Sequence, residues 1–250
     1  MRHIIFMMIG LLFFAGQSSA NTEKSASLWL TAPVSDVRNS QVFIQIFKEE
    51  KELELYKREN NGRFKLVKRY PVCQFSGGLG PKQLTGDLKS PEGFYRISLS
   101  QLNPNSRFYR AINLGFPNEF DRAHGYTGDY LMVHGDCKSV GCYAMTDAYI
   151  DEIYRYVESA LLSGQTDLNI AIYPFRMTPE NLNRHRNSAH LAFWQQLQPA
   201  YQYFAENQIP AVVAVVNGRY VTAAHSALPA PAPAADTGLL TQNTDSSRSP

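Results

Sequence analysis

Apolar residues alternate with period two over the first well-patterned stretch of the chain. The alternating positions are Val42, Ile44, Ile46, Leu53 and Leu55, and a further apolar-rich segment, Phe64 to Val72, follows the turn signal Asn60-Asn61-Gly62. Successive side chains of a strand point to opposite faces, so this spacing predicts strands joined by hairpins. The pattern therefore restricts the chain to a fold built largely on β-sheet.

Turn-forming residues dominate the next stretch, from Gly77 to Gly93, which predicts a long ordered loop. Three further strands are expected after it, at Phe94–Ser98, Arg107–Asn113 and Tyr130–His134. Each is short and rich in aromatic or branched residues. The first two-thirds of the chain is thus predicted to be mainly β.

The spacing of apolar residues becomes helical after Cys142. Ile150, Ile153, Tyr154, Val157 and Leu161 predict a helix that Thr146 or Asp147 caps and Gly164 ends. A buried strand at Leu168–Tyr173, a helical segment over 178–207 that Pro199 breaks or kinks, and a hairpin over 212–221 complete the pattern. The expected fold class is mixed and mainly β, with helical additions.

The two ends of the chain have their own compositions. Residues 1–20 show a short basic start, an apolar run and small residues before position 20, the layout of a cleavable secretory signal peptide. The apolar run is shorter than the roughly 20 residues that span a bilayer, which disfavours a membrane anchor. Residues 21–40 are a polar leader, and residues 223–250 are expected to form a disordered tail. We therefore expect a periplasmic protein with no membrane span in the mature chain.

Charge excludes one class of partner. The formal net charge is only +2, and no block of Lys or Arg is present. Nucleic-acid binding proteins concentrate basic residues on one face or in one segment. We therefore expect no nucleic acid as a partner.

The chain contains three cysteines, Cys73, Cys137 and Cys142. An odd number in an exported protein leaves a free thiol or an intermolecular bond. A free thiol is a liability in an oxidising compartment unless the protein uses it. One of the three is therefore a candidate for chemistry, although counting does not say which.

The segment from His134 to Cys142 has the residues for nucleophilic catalysis. A strand ends at His134, seven loop residues follow, and Cys142 is expected to open onto a helix start. An imidazole can take the thiol proton, and a helix N-terminus favours the thiolate. Gly141 allows close backbone approach, so the amides of Gly141, Cys142 and Tyr143 could stabilise an oxyanion.

Three other interpretations fit the same spacing. His134 and Cys142 could be ordinary core residues, Cys137 and Cys142 could form a disulfide across a short loop, or His134, Cys137 and Cys142 could bind zinc. The zinc interpretation lacks a fourth ligand and matches no common spacing. Spacing alone leaves these alternatives open.

The segment His134-Gly135-Asp136-Cys137 through Ser139-Val140-Gly141-Cys142-Tyr143-Ala144-Met145 resembles the active-site motif of the YkuD-type L,D-transpeptidases, and within them the YafK-like branch. The upstream residues Gly80-Pro81-Lys82, Gly86-Asp87 and Ser90-Pro91-Glu92-Gly93-Phe94-Tyr95 also resemble that family. The two motifs stand in the family's order and the resemblance covers about residues 40 to 175.

The resemblance implies an L,D-transpeptidase-like β-sandwich catalytic domain over 41–175, followed by a helical and hairpin extension over 176–222. It implies Cys142 as nucleophile and His134 as base, with the Gly135 carbonyl orienting the His134 ring. Ser139, Asp136 and Tyr130 are then candidate substrate-binding residues. No metal or other cofactor is needed. The implied substrate is a peptidoglycan stem peptide, attacked at the carbonyl of meso-diaminopimelate.

Two positions depart from the family motif. Val140 stands where the family has a second histidine, and Ala144 where an arginine is common. His134 is kept, so thiol activation is kept, and the departures concern what attacks the thioester. An amine gives transpeptidation, and water gives hydrolysis, which in this branch would release a wall-linked outer-membrane lipoprotein. The departures favour hydrolysis over transfer.

Two other functions remain as alternatives. A papain-like cysteine peptidase has its cysteine long before its histidine, whereas His134 here precedes Cys142 by eight residues. The other is a non-catalytic module that binds peptidoglycan. Given Cys142 as nucleophile, a disulfide between Cys73 and Cys137 would account for the two remaining thiols.

Overall fold

The computed structural model describes residues 41–223, which contain eleven strands and four α-helices. The signal peptide over 1–20, the leader over 21–40 and the tail that follows residue 223 lie outside the described residues, so their predictions stay as stated. None of the helices in the described part of the chain is long and apolar enough to cross a membrane.

The larger sheet has five strands in the order β3-β2-β1-β9-β4. Their bounds are β1 Val42–Phe47, β2 Glu52–Arg58, β3 Phe64–Pro71, β4 Gly93–Ile97 and β9 Leu168–Tyr173. The first three strands are successive antiparallel hairpins, as the alternation predicted, and β1 pairs in parallel with β9. All six residues of β1 are buried because the strand lies in the middle of the sheet and both of its faces are covered.

The smaller sheet has four strands in the order β5-β6-β7-β8. They are β5 Leu102–Ser106, β6 Tyr109–Asn113, β7 Met132–His134 and β8 Tyr143–Ala144. The strands β7 and β8 are parallel, with Val133 opposite Tyr143 and His134 opposite Ala144. This short parallel pair carries the two ends of the predicted catalytic segment.

Two hydrophobic cores lie on opposite faces of the larger sheet. The helices are α1 Glu119–Ala123, α2 Asp147–Leu162, α3 Pro179–Arg184 and α4 Leu191–Asn207. The first core joins both sheets to one face of α2 and includes Ile44, Val133, Tyr143 and Ile153. The two sheets and the helix therefore enclose one interior, which agrees with the expected mixed, mainly β class.

The second core covers the other face of the larger sheet. It joins Phe43 and Tyr173 of the sheet to Trp194 of α4 and to Tyr220 of the terminal hairpin. That hairpin is β10 Val212–Val216 and β11 Arg219–Ala223, turned by Asn217-Gly218 as predicted. The segment over 176–222 thus packs directly on the catalytic sheet.

Several predicted elements differ from the observed ones. The strand expected at 94–98 begins one residue earlier, and those expected at 107–113 and 130–134 begin at Tyr109 and Met132. The segment over 178–207 forms two helices, α3 and α4, and α4 continues through Pro199. β5 and α1 were not expected.

The helix expected after Cys142 begins at the predicted cap and not directly at the cysteine. Its N-cap is Thr146 and its first residue is Asp147. The residues Tyr143–Ala144 between the cysteine and the helix form β8, because their backbone completes the edge of the smaller sheet beside β7.

Candidate active site

Cys142 lies where the loop after β7 returns to the sheet, with its side chain only 8% exposed and its thiol free. The thiol donates to the carbonyl oxygen of Tyr130 at 3.6 Å. The backbone carbonyl of Cys142 accepts two hydrogen bonds, from the hydroxyl of Ser90 at 3.0 Å and from that of Ser139 at 2.7 Å. The carbonyl of the cysteine is therefore held by two hydroxyls, while the hydrogen bond that its thiol donates is weak.

His134 ends β7 on the neighbouring strand and is almost completely buried. It lies opposite Ala144, and Cys142 precedes Ala144 by two residues. Cys142 lies directly before β8, and His134 ends β7, so the parallel pairing of the two strands holds both backbones at the β8 edge of the smaller sheet.

The backbone fixes the tautomer of His134. Its Nδ1 lies 2.5 Å from the carbonyl oxygen of Gly135. A carbonyl oxygen can only accept, so Nδ1 carries the proton and the lone pair of the neutral ring is on Nε2. The ring of Phe108 packs against the imidazole with a centroid distance of 4.5 Å. The imidazole is thereby held as a proton acceptor at Nε2.

Burial keeps both reactive groups uncharged. Burial raises the pKa of the Cys142 thiol, and the Met132 amide and the Lys82 ammonium oppose that shift. Burial likewise lowers the pKa of His134, against the Gly135 carbonyl and the Asp136 carboxylate. The resting site therefore holds a neutral thiol and a neutral imidazole, and the imidazole can accept a proton at neutral pH.

Ser76 and Ser90 connect the catalytic loop to the long loop over 77–93. The Gly141 amide donates to the Ser76 hydroxyl at 2.7 Å, and the Ser76 amide donates to the Ser90 hydroxyl at 3.2 Å. The two segments that carry the family resemblance are thus joined at Cys142. Of the three amides predicted to stabilise an oxyanion, that of Gly141 already has a hydroxyl partner in this state.

A buried ion pair holds the long loop from the other side. Lys48, directly after β1, and Glu92 both have side chains inaccessible to solvent, with Nζ and Oε1 2.9 Å apart. The ammonium also donates to the carbonyls of Gly80 and Ser90, at 3.1 and 2.9 Å. The carboxylate accepts from the Gly80 amide at 2.7 Å and from the Trp194 indole at 2.8 Å. Each of the three ammonium donors has an acceptor, so the pair fixes the loop to the sheet.

The structure joins Cys73 and Cys137 in a disulfide between chain positions 64 residues apart, with their Cα atoms 5.4 Å apart. Cys73 also donates its amide to the Ala144 carbonyl at 2.8 Å. Cys137 is therefore engaged with neither Cys142 nor a metal, unlike in the two alternatives left open by spacing. Among the described residues, no group of three or more His, Cys, Asp or Glu residues could hold a metal ion.

The three candidate substrate-binding residues have different surroundings. Tyr130 is 71% exposed, and its carbonyl contacts the thiol. Asp136 is exposed, and its amide donates to Asp147 at 2.7 Å. Ser139 is buried, with its hydroxyl donating to the Cys142 carbonyl. Tyr130 and Asp136 are thus open to a substrate, whereas Ser139 supports the loop.

Sequence reasoning missed three residues of the site. Ser76 and Asp147 contact it through hydrogen bonds to Gly141 and Asp136, and Phe108 packs on His134. Ser76 is 65 residues from its partner, so no local pattern indicates it. Asp147 was recognised only as a possible helix cap. A short loop between two strands gave no reason to single out Phe108.

A known protein family matches most of the described chain. The YkuD family, described as the L,D-transpeptidase catalytic domain, matches residues 41–195. The Escherichia coli K12 protein named "Putative L,D-transpeptidase YafK" is 50% identical over 223 residues, 87% of each chain.

Two solved structures are similar to this chain at lower identity. The helical cell shape determining protein Pgp2 of Campylobacter jejuni is 17% identical, with a TM-score of 0.42 over 76% of this chain and 80% of that one. Bd1075 of Bdellovibrio bacteriovorus is 21% identical, with a TM-score of 0.39 over 58% of this chain and 51% of that one. The family match covers most of the described residues and includes both motifs. The chain belongs to the YkuD family of L,D-transpeptidases.

Proposed function

We propose that Cys142 is the nucleophile and His134 the base of a periplasmic enzyme that cleaves peptidoglycan stem peptides at the carbonyl of meso-diaminopimelate. Family membership supports the coarser statement that the protein modifies peptidoglycan. The observation that supports the finer proposal is the parallel pair of β7 and β8, which carries His134 at the end of one strand and the free thiol of Cys142 directly before the other. The Gly135 carbonyl holds the proton of the neutral His134 ring on Nδ1 and leaves Nε2 as a proton acceptor. This pairing favours an enzyme over a non-catalytic wall-binding module.

The proposed reaction conserves its protons within the pair. His134 Nε2 takes the proton of the Cys142 thiol, and the thiolate attacks the diaminopimelate carbonyl to give a tetrahedral oxyanion. The amides of Cys142 and Tyr143 stabilise the oxyanion, joined by Gly141 when Ser76 releases its amide. His134 returns the proton to the leaving amine, and a thioester remains on Cys142. Water or an amine then attacks the thioester and regenerates the thiol.

We propose hydrolysis as the main outcome, with release of a wall-linked outer-membrane lipoprotein. Val140, at the position of the family's second histidine, is 70% exposed. Its isopropyl group cannot accept a proton from an attacking amine or bind an ammonium group. Ala144, at the position of the common arginine, is buried and uncharged. The surroundings of the thioester therefore offer nothing at these two positions to select an amine over water.

The test is incubation of the purified protein with wall sacculi that carry covalently bound lipoprotein, followed by mass spectrometry of the products. Freed lipoprotein with an intact C-terminal residue, together with trimmed stems, is expected. Cross-linked or amino-acid-exchanged stems would instead show transfer and overturn the hydrolytic outcome.

The control is Cys142→Ala, which removes the sulfur and leaves the loop contacts of the Cys142 backbone in place. It should abolish product formation and leave sedimentation with sacculi unchanged. Equal products from both proteins would reject the nucleophile, and binding without any product from the wild type would favour the binding module. Mass analysis of the N-terminus of the periplasmic protein tests export, with cleavage after Ala20 expected.

A further inference from the structure

One peptide unit, between Gly135 and Asp136, has a strong hydrogen bond at each of its two ends. Its carbonyl oxygen lies 2.5 Å from Nδ1 of His134. Its N–H donates to the carboxylate oxygen Oδ1 of Asp147 at 2.7 Å. A carboxylate, a peptide and the imidazole therefore form one continuous hydrogen-bonded chain that leads to the reactive pair.

We propose that Asp147 is a positioning residue for the His134 base and acts through this peptide. The inference rests on the proposed function, because it assigns His134 as the proton acceptor. Asp147 touches neither the substrate nor the reacting atoms. It orients the Gly135 carbonyl and makes that carbonyl a stronger acceptor, as a carboxylate bound directly to a catalytic histidine would orient and stabilise the ring.

The direction of the effect follows from electrostatics. A charged acceptor on the N–H polarises the peptide, and hydrogen bonds in a chain strengthen one another. The Gly135 carbonyl then carries more negative charge and stabilises the imidazolium form of His134. Asp147 should therefore raise the pKa of His134 and so oppose the lowering caused by burial.

The backbone at Thr146 and Gly135 allows the Asp147 carboxylate to approach the peptide closely. Thr146, directly before Asp147, has φ of 72° and ψ of 156°, a region that β-branched residues rarely adopt. The Thr146 amide donates to the Asp136 carbonyl at 2.9 Å. A Cβ at Gly135 would lie 2.5 Å from Asp147 Oδ1 and 2.6 Å from the Phe108 carbonyl. Strain at Thr146 and the lack of a side chain at Gly135 together allow the carboxylate to reach the peptide.

The other charged groups around this chain are separate from it. Asp136 acts on His134 through space, and its carboxylate accepts from the Cys137 amide at 2.6 Å. Asp151 and Arg155 of α2 lie beside Asp147 in a surface cavity of about 270 Å³ that Tyr109 also lines. Asp151 contacts the Tyr109 hydroxyl at 3.1 Å and Arg110 at 3.4 Å. Asp151 thus provides a matched carboxylate one helical turn away.

The experiment compares Asp147→Asn, Asp147→Glu and Asp151→Asn. An NMR titration of histidine-labelled protein gives the pKa of His134, assigned by loss of its signal in His134→Gln. Asp147→Asn keeps an acceptor oxygen and removes the charge. We expect a lower His134 pKa, an acid limb of kcat/KM moved to lower pH, and kcat/KM about tenfold lower, the size of one charge-assisted hydrogen bond.

If the carboxylate charge at position 147 raises the His134 pKa, the pKa in Asp147→Glu should be close to the wild-type value. In Asp151→Asn the His134 pKa should be unchanged. An unaltered His134 pKa in a folded Asp147→Asn protein would overturn the inference, as would equal shifts in the two Asn variants. The titration needs no turnover, so it judges Asp147 separately from the sacculus assay. An inactive wild type with a shifted His134 pKa would reject the proposed function and retain the hydrogen-bonded chain.

Discussion

The two buried polar pairs of this protein, Lys48 with Glu92 and His134 with Cys142, contact the same long loop and differ in how fully their atoms are bonded. The first pair is charged, and each ammonium donor has its own acceptor. The second pair is neutral, and the Cys142 thiol donates only a weak hydrogen bond, to the Tyr130 carbonyl at 3.6 Å. Burial therefore has a different effect on each pair.

At the ion pair, burial makes every missing contact costly, so the loop has one favourable position. Burial lowers the pKa of Lys48, and its partner Glu92 opposes that shift. At the catalytic pair, burial keeps the imidazole ready to accept a proton. The fully hydrogen-bonded ion pair of Lys48 and Glu92 thus fixes the loop beside which the more weakly bonded Cys142 is proposed to react.

The largest effect on folding is expected from Lys48→Met. The substitution leaves the Glu92 carboxylate buried without a counter-charge, which costs about 3–5 kcal/mol of unfolding free energy. Urea denaturation at pH 7 measures it. Lys65→Met is the control, because Lys65 and its partner Glu59 are exposed and 3.7 Å apart, and a change within about 0.5 kcal/mol is expected. Similar losses in both variants would contradict the contrast.

A smaller loss of stability is expected when the disulfide is removed. Replacing Cys73 and Cys137 together by Ser should lower the unfolding free energy by about 2–4 kcal/mol, because the unfolded chain gains freedom. Thermal unfolding with and without reductant gives the measurement. The wild type in reductant should match the double variant in oxidising buffer. A wild type that reductant does not affect would show that the thiols are unpaired.

Ser76→Ala tests the link between the two loops. The substitution removes the acceptor of the Gly141 amide and should lower kcat/KM about tenfold through a less ordered catalytic loop. Ser100→Ala, at an exposed serine outside these loops, serves as the control. A higher kcat/KM in Ser76→Ala would mean that the freed Gly141 amide stabilises the oxyanion. The Ser76 hydroxyl would then compete with the oxyanion for that amide.

The smallest effect concerns pH. Burial lowers the pKa of His134 below its usual 6.5, so on acidification the unfolded chain binds a proton before the folded protein does. Stability from this group is therefore complete above pH 6.5 and falls as the pH drops from 6.5 toward the folded pKa. Unfolding free energies at pH 7 and pH 5 should differ more for the wild type than for His134→Gln. An equal change in both proteins between pH 7 and pH 5 would mean that a group other than His134 causes the loss of stability.

Much of the frame was predictable because it depends on local patterns. Alternation in residues 42–72 predicted three hairpin strands, and Asn217-Gly218 predicted the terminal turn. β5 was missed because it is an edge strand with the sequence Leu-Asn-Pro-Asn-Ser, where the alternation is absent and proline is tolerated. The apolar helical spacing after Cys142 correctly predicted α2 and its cap at Thr146.

Only the site residues that lie within the sequence motif were predictable. The motif over residues 134–145 contains Cys142, His134 and Gly135, so the resemblance could indicate them, and their roles are proposals. Ser76 was not predictable, because its contact with Gly141 exists only after the two loops meet. The burial of Lys48 was equally hidden, since a lysine at the end of a strand is usually exposed.

The positions of the three cysteines have a consequence for how the chain must oxidise. Cys137 and Cys142 are five residues apart, whereas the pair in the structure spans 64. In an unfolded chain the smaller ring is favoured by about 2 kcal/mol of closure entropy. Oxidation ahead of folding therefore favours a ring that contains Cys142, the proposed nucleophile. Reaching the Cys73–Cys137 pairing then requires either folding before oxidation or a thiol–disulfide exchange that returns Cys142 to its free form.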